Sequence, residues 1–227
     1  MVYKILLLVA TLLLGYFVGA IPNGVIVSKI FFHYDIREYG SHNSGGTNAG
    51  RVMGKKFGAL VIILDIMKVI IPFAISVLLF NYTALNNYCL FNMPQIYYYG
   101  ICLAGTIGHC WPIYIGFKGG KAVSCTAGSI ICTSYISLII SFISFIVTLK
   151  KSKHVSSSSI AGSLTSAILS FCVFIPGFNR YFLYPGLAFD YTYIILMCSL
   201  FIILLIRHKQ NIKRLINKEE STISWMK

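Results

Sequence analysis

Glycines, short polar side chains and basic residues fall together at several places in this chain, a combination suited to holding anions. The first is GSHNSGGTNAGR, Gly40 to Arg51. Its glycines let backbone N–H groups turn toward an anion with no Cβ in the way. Ser41, Asn43, Thr47 and Asn48 add short polar donors around Gly46. Arg51 adds a planar cation that fits phosphate oxygens. The same composition suits a plain interfacial loop, so alone the stretch reads either way. It lacks the P-loop spacing, so nucleotide hydrolysis is not indicated.

The second stretch is GHCWPIYIGFKGGKA, Gly108 to Ala122. Gly119 and Gly120 offer another close backbone approach, with Lys121 beside them. His109 is either a buried, hydrogen-bonded residue that holds the loop or an acid–base group near neutral pH. In the third, Ser156 to Ser159, the serines either cap a helix start or contact a ligand through Ser156 and Ser159. The fourth is RHKQNIKRLINKEE, Arg207 to Glu220. There His208, Asn211 and Leu215 share one helical face, and a basic amphipathic tail on the membrane surface is the simpler account. Asp65 and Lys68 lie three apart within an apolar run. They either pair with each other or send one charge into the site.

The elements carrying these residues are set by composition. The 227 residues are 57% hydrophobic and 11% charged, less than half the charge of a soluble domain. The chain is therefore expected to be an integral membrane protein, with residues 1–227 as one domain. The net charge of +13 fits basic residues gathered on the cytoplasmic side better than nucleic-acid binding. Seven cysteines show no metal spacing, so neither disulfides nor a metal are expected. Ile5 to Leu14 imitate a signal peptide, but the apolar run resumes after Pro22, so an uncleaved first span is expected.

Candidate spans run over 5–30, 57–80, 96–110, 122–149, 160–178 and 191–206. The third is short unless Tyr97 to Tyr99 occupy the interface. The loop 33–56 carries Arg37, Arg51, Lys55 and Lys56, whereas the loop 81–95 has no Lys or Arg. This puts the first loop in the cytoplasm and the N-terminus outside. Lys150, Lys151, Lys153 and the basic C-terminal tail should also be cytoplasmic. The segment 122–149 must then enter and leave by one face, as two half-length helices. The external loop 176–190 holds one basic residue, Arg180. The expected fold is an all-α integral membrane bundle of seven helices, five full spans plus a re-entrant half-helix pair. All four polar stretches then lie on the cytoplasmic face.

GSHNSGGTNAGRVMG, GHCWPIYIGFKGGKAV and HKQNIKRLINKEE, in that order, resemble the three motifs of the bacterial acyl-phosphate:glycerol-3-phosphate acyltransferases. GAIPNG, the DxxK of Asp65 and Lys68, and the serine cluster extend the likeness over almost the whole chain. The resemblance implies a seven-helix enzyme of the bacterial cell membrane. It implies transfer of a fatty acyl group from acyl-phosphate to the 1-hydroxyl of glycerol 3-phosphate, without a cofactor. Functional coupling to the enzyme that makes acyl-phosphate also follows. Ser41, Thr47 and Asn48 match positions that hold the acyl-phosphate headgroup. Arg51, Lys121, His208 and Asn211 match positions associated with glycerol 3-phosphate, and Ser156 or Ser159 matches a serine near the phosphate. The family commonly has glycine at the positions of His42, Ala122 and Asn217, and alanine or threonine at Gly46.

An acyl-phosphate is already activated, and no Ser-His-Asp or Cys-His arrangement stands out. The enzyme's work would be to hold two anions, orient the hydroxyl and stabilise developing charge. The general base is His208 or a substrate phosphate oxygen. A transporter of a phosphorylated metabolite would use similar loops, but the halves show no inverted repeat. A structural lipid-binding protein leaves the glycine motifs unexplained. The HxxxxD motif of thioester-dependent acyltransferases is absent.

Overall fold

The computed structural model describes residues 1–175, 177, 182–184 and 187–222. They form two compact units, Met1–Ser129 and Ile130–Lys227. Ten α-helices and no strand occur among the described residues, so the chain is an α-helical membrane protein.

The first unit begins with α1 (Val2–Gly19) and α2 (Asn23–Phe32), separated at Pro22. Proline has no N–H to continue a helical ladder. Together the two helices are long and apolar enough for one crossing. The short α3 (Gly46–Val52) precedes α4 (Lys55–Tyr82), a 28-residue helix with Pro72 inside it. On α4, Ile63, Met67, Ile71, Ile75 and Leu78 are exposed. Their three- and four-residue spacing makes one apolar stripe, suited to lipid. Next comes α5 (Gln95–Cys110), 16 residues long. It lies so close to α1 that a Cβ on Gly19 would collide with Gly105, and one on Gly108 with Tyr16. Small residues at such crossings let backbones approach.

Tyr97, Tyr98 and Tyr99 lie near the start of α5, and all three are buried against protein. The Tyr97 hydroxyl donates to the Lys4 carbonyl (3.0 Å) and accepts from the Leu90 N–H (3.0 Å). The ring is thereby spent on closing the end of α1.

Helix α6 (Val123–Thr133) is separated from α7 (Tyr135–Ser152) by Ser134 alone. In the second unit the Ser134 hydroxyl accepts from the Ser137 N–H (3.1 Å) and donates to the Phe182 carbonyl (2.6 Å). The expected pair of half-length helices is thus unequal, 11 and 18 residues, and α7 alone is long enough to cross. Helix α8 (Val155–Ser170) continues through a 3-10 turn to Phe174. It starts from His154, with the serine cluster in its first turn rather than at its cap. Ser158 donates to the His154 carbonyl and Ser159 to that of Val155 (both 2.8 Å). Back-bonding of this kind lets hydroxyls sit in an apolar setting.

Helix α9 (Tyr191–Arg207) bends by 61° into α10 (Lys209–Ile216). Among the described residues four segments are apolar and long enough to cross a membrane, five if α9 and α10 form one span. Among the described residues the helices number ten rather than seven because the first span is broken and α3 and α10 are short additions. Pro176, Phe178 and Arg180, at the span end and loop assigned by charge, lie outside the described residues.

Candidate functional site

In the first unit the glycine-rich loop is built around Asn48, which is buried. Its Oδ1 accepts from the Ser41 N–H (2.8 Å), and its Nδ2 donates to the carbonyls of Ile36 (3.2 Å), Tyr39 (3.0 Å) and Asn43 (2.9 Å). Asn48 therefore shapes the loop from beneath. The outward positions are Ser41, Thr47 and Arg51, all exposed. Thr47 and Arg51 stand one turn apart on α3 and so share a face.

Gly46 serves packing. A Cβ there would meet the Ile62 side chain, and one on Gly58 would come within 2.6 Å of the Gly50 Cα. These glycines seat α3 directly on α4. Beneath them Val25, Val27, Ile36, Ala49, Met53 and Val61 form an apolar core.

The second motif has its own division of labour. The Gly119 N–H donates to the Cys110 carbonyl (3.3 Å) and the Gly120 N–H to the His109 carbonyl (3.0 Å). These amides close the C-terminal end of α5. A Cβ on Gly120 would strike the His109 ring, and one on Gly119 would strike the His109 carbonyl and Pro112. The paired glycines thus let the loop fold over His109 and deliver Lys121, which is partly exposed.

The two loops are tied together. Asn43 Nδ2 donates to the Gly119 carbonyl (3.4 Å), while its Oδ1 accepts from the Gly45 N–H (2.9 Å). Arg37 reaches from the first loop to the Ile115 carbonyl (2.9 Å) and pairs with Asp35 (2.8 Å). The Arg37 guanidinium holds the Asp35 carboxyl below the usual carboxylate range despite some burial, and Asp35 raises Arg37 in turn. Tyr16 adds a bond from its hydroxyl to the Trp111 carbonyl (2.8 Å).

Asp65, Lys68 and His109 are buried below these loops. Asp65 Oδ1 lies 2.9 Å from Lys68 Nζ and 3.7 Å from His109 Nδ1, and accepts from Asn23 Nδ2 at 3.0 Å. The Asp65–Lys68 pair forms, and His109 is a buried part of the same cluster.

In the second unit His208 sits at the bend between α9 and α10. Its Nδ1 lies 2.8 Å from the Leu204 carbonyl. A carbonyl oxygen only accepts, so that nitrogen carries a proton and a neutral ring has Nε2 as its acceptor. Asn211 and Ser156 both turn to Glu220: Asn211 Nδ2 and Ser156 Oγ donate to its Oε1 at 2.6 and 2.8 Å. Arg214 Nε lies 2.7 Å from its Oε2. Burial raises the Glu220 pKa, but the bonds from Asn211, Arg214 and Ser156 outweigh it and hold the carboxyl below its usual range.

Sequence reasoning passed over Glu220 because attention there went to the basic residues. It also passed over Asn23 and Arg37 as partners. Only Asn23 carried a signal, as the polar residue after the proline in GAIPNG.

A helical membrane protein with two linked glycine-bearing loops over a buried ion pair defines the class. The family model described as glycerol-3-phosphate acyltransferase matches residues 9–218. The chain is 36% identical over 214 residues to the glycerol-3-phosphate acyltransferase of Listeria monocytogenes serovar 1/2a, covering 94% of this chain and 96% of the relative. It is 35% identical over 221 residues to that of Staphylococcus aureus strain Newman, covering 97% and 100%. Among solved structures it is similar to PlsY (YgiH), an integral membrane glycerol 3-phosphate acyltransferase, in its glycerol 3-phosphate form. That match has a TM-score of 0.76, 25% identity and 96% coverage of both chains. The lysophosphatidic acid form shares the fold with a TM-score of 0.75 at 24% identity, over 96% of this chain and 95% of that one. This chain belongs to the glycerol-3-phosphate acyltransferase family.

Proposed function

We propose that this protein transfers a fatty acyl group from acyl-phosphate to the sn-1 hydroxyl of glycerol 3-phosphate. The products are lysophosphatidic acid and inorganic phosphate, in phospholipid synthesis at the bacterial cell membrane. Family membership supports acylation of glycerol 3-phosphate. One observation supports an anionic, phosphate-bearing donor. The loops joined through Asn43 and Gly119 turn out hydroxyls and cations, Ser41, Thr47 and Arg51, with Lys121 partly exposed. Within the first loop the Asp35 carboxylate is spent on Arg37.

The hydroxyl oxygen attacks the acyl carbon, the anhydride C–O bond breaks, and phosphate leaves with its electron pair. The hydroxyl proton goes to a base. In the first unit Ser41 and Thr47 are assigned to the donor headgroup, with Asn48 and Asn43 holding the loop. Arg51 and Lys121 are assigned to glycerol 3-phosphate and balance the charge of two anions brought together. In the second unit His208, Asn211, Ser156 and Ser159 are assigned to glycerol 3-phosphate. Nε2 of a neutral His208 suits a proton acceptor, and a substrate phosphate oxygen is the other candidate base. Acyl-chain burial needs no special motif beside lipid-facing helices.

The test is turnover by purified protein given glycerol 3-phosphate with palmitoyl-phosphate, and separately with palmitoyl-CoA. Lysophosphatidic acid and phosphate from the first donor alone are expected. Product from the thioester alone would overturn the donor assignment. Arg51→Ala and Lys121→Ala should each lower kcat/KM by about a hundredfold or more, the scale of a lost transition-state charge contact, in folded protein.

A further inference from the structure

A buried ion pair inside a span is costly, and apolar residues of similar volume often serve stability as well. Asp65 and Lys68, with side chains 2% and 6% exposed, therefore call for a reason beyond cohesion. Their neighbours supply one. Lys68 Nζ also donates to the Ile21 carbonyl (2.9 Å), at the break before Pro22. Asn23, just past that break, donates to Asp65. On its other side Asp65 faces His109, whose ring is the surface on which Gly120 rests. The same residues line a small, partly open pocket whose wall includes Ser44 of the first loop and Pro112 of the second.

We infer that Asp65 is a positioning residue for Lys121, acting through His109 and the Gly119–Gly120 turn. Its carboxylate faces Nδ1 of the ring at 3.7 Å, a charge contact that favours one orientation of the imidazole. The ring in turn fixes the seat of Gly120, one residue before Lys121. Lys68 and Asn23 anchor the carboxylate to the α1–α2 break, so the reference point is the helix packing rather than the loop. An apolar pair would fill the volume without that charge contact to the imidazole. This inference rests on the assignment of Lys121 to glycerol 3-phosphate.

The experiment compares purified full-length Asp65→Asn and Lys121→Ala with the parent. It measures KM for glycerol 3-phosphate and for palmitoyl-phosphate, with thermal melting in detergent as the folding check. In Asp65→Asn the KM for glycerol 3-phosphate should rise about tenfold or more, the scale of a small misplacement of a contact group. The KM for palmitoyl-phosphate should stay within about twofold. A folded Asp65→Asn with an unchanged KM for glycerol 3-phosphate, or an equal rise for both substrates, overturns the inference if Lys121→Ala still shows the selective rise. An unchanged KM for glycerol 3-phosphate in Lys121→Ala overturns the substrate assignment instead. Should Asp65→Asn fail to fold, Asn23→Ala replaces it, because it removes one bond to Asp65 and keeps both charges. A selective rise in that variant supports the inference, and no rise overturns it.

Discussion

Ala122 and His42 carry side chains where the backbone turns left-handed, at φ of +67° and +56°. Glycine takes those angles without strain, which gives a conformational reason for the glycine that the resemblance leads one to expect at both positions. His42 adds a compensation, since its Nδ1 lies 3.0 Å from the Arg37 carbonyl. Ala122 has only a methyl group. Ala122→Gly should relieve a left-handed penalty of about 1–2 kcal/mol, offset by glycine's chain entropy of about 0.5–1 kcal/mol and by loss of a buried methyl worth about 0.8 kcal/mol. Thermal melting in detergent should therefore show little change in midpoint, and a large fall would refute the strain at this position. At Asn217 the backbone is ordinary (φ −77°), and the left-handed residue is Lys218 (φ +60°). The glycine expected there finds its conformational reason one residue later. Which residue types gather at the site was readable from the sequence. Which of them face outward was not. Ser41, Thr47 and Arg51 do, whereas Asn48, Gly46, Gly119 and Gly120 serve the loops, because composition says nothing about which backbone groups a side chain must satisfy.

Among elements, the tail after α10 depends on a charge that the sequence hid among lysines. Glu220 gathers Ser156 of α8 with Asn211 and Arg214 of α10. Its pKa is lowered in the folded protein, so the folded state binds its proton less readily than the unfolded chain. The resulting stability is present above the ordinary carboxylate range and is lost as pH falls through the folded value. Amide exchange at 209–216 should accordingly rise between neutral pH and about pH 3, relative to a peptide of the same sequence. Glu220→Gln should show the faster relative exchange at neutral pH and lose most of this acid dependence. An acid response unchanged in that variant would place its origin elsewhere. The long apolar helices were legible from hydrophobic runs. The short α3 and α10 and the one-residue break at Ser134 were not, because packing glycines and single hydroxyl bonds decide them.

For the whole molecule the open question is orientation, and helix lengths bear on it. At about 1.5 Å per residue, α6 is about 16 Å long and α7 about 27 Å, against a hydrocarbon core of about 30 Å. Traversed end to end they would carry Lys150, Lys151 and Lys153 to the external side. That outcome runs against the charge bias, since the loop 81–95, assigned outside, has no Lys or Arg at all. We propose instead that α6 enters from the cytoplasm to mid-depth and α7 returns. Being the longer, α7 then carries its basic last turn, Lys150 and Lys151, out into cytoplasmic water. A single cysteine at position 151 should then resist a membrane-impermeant thiol reagent applied outside intact cells, while one at position 87 reacts. Cys89, Cys102, Cys110 and Cys125 are buried, so Cys132, Cys172 and Cys198 are the native thiols to replace first. Labelling of position 151 from outside would mean that α6 and α7 cross the membrane as one broken span. Protection of position 87 together with labelling of 151 would invert the whole assignment and place the glycine-rich loops outside.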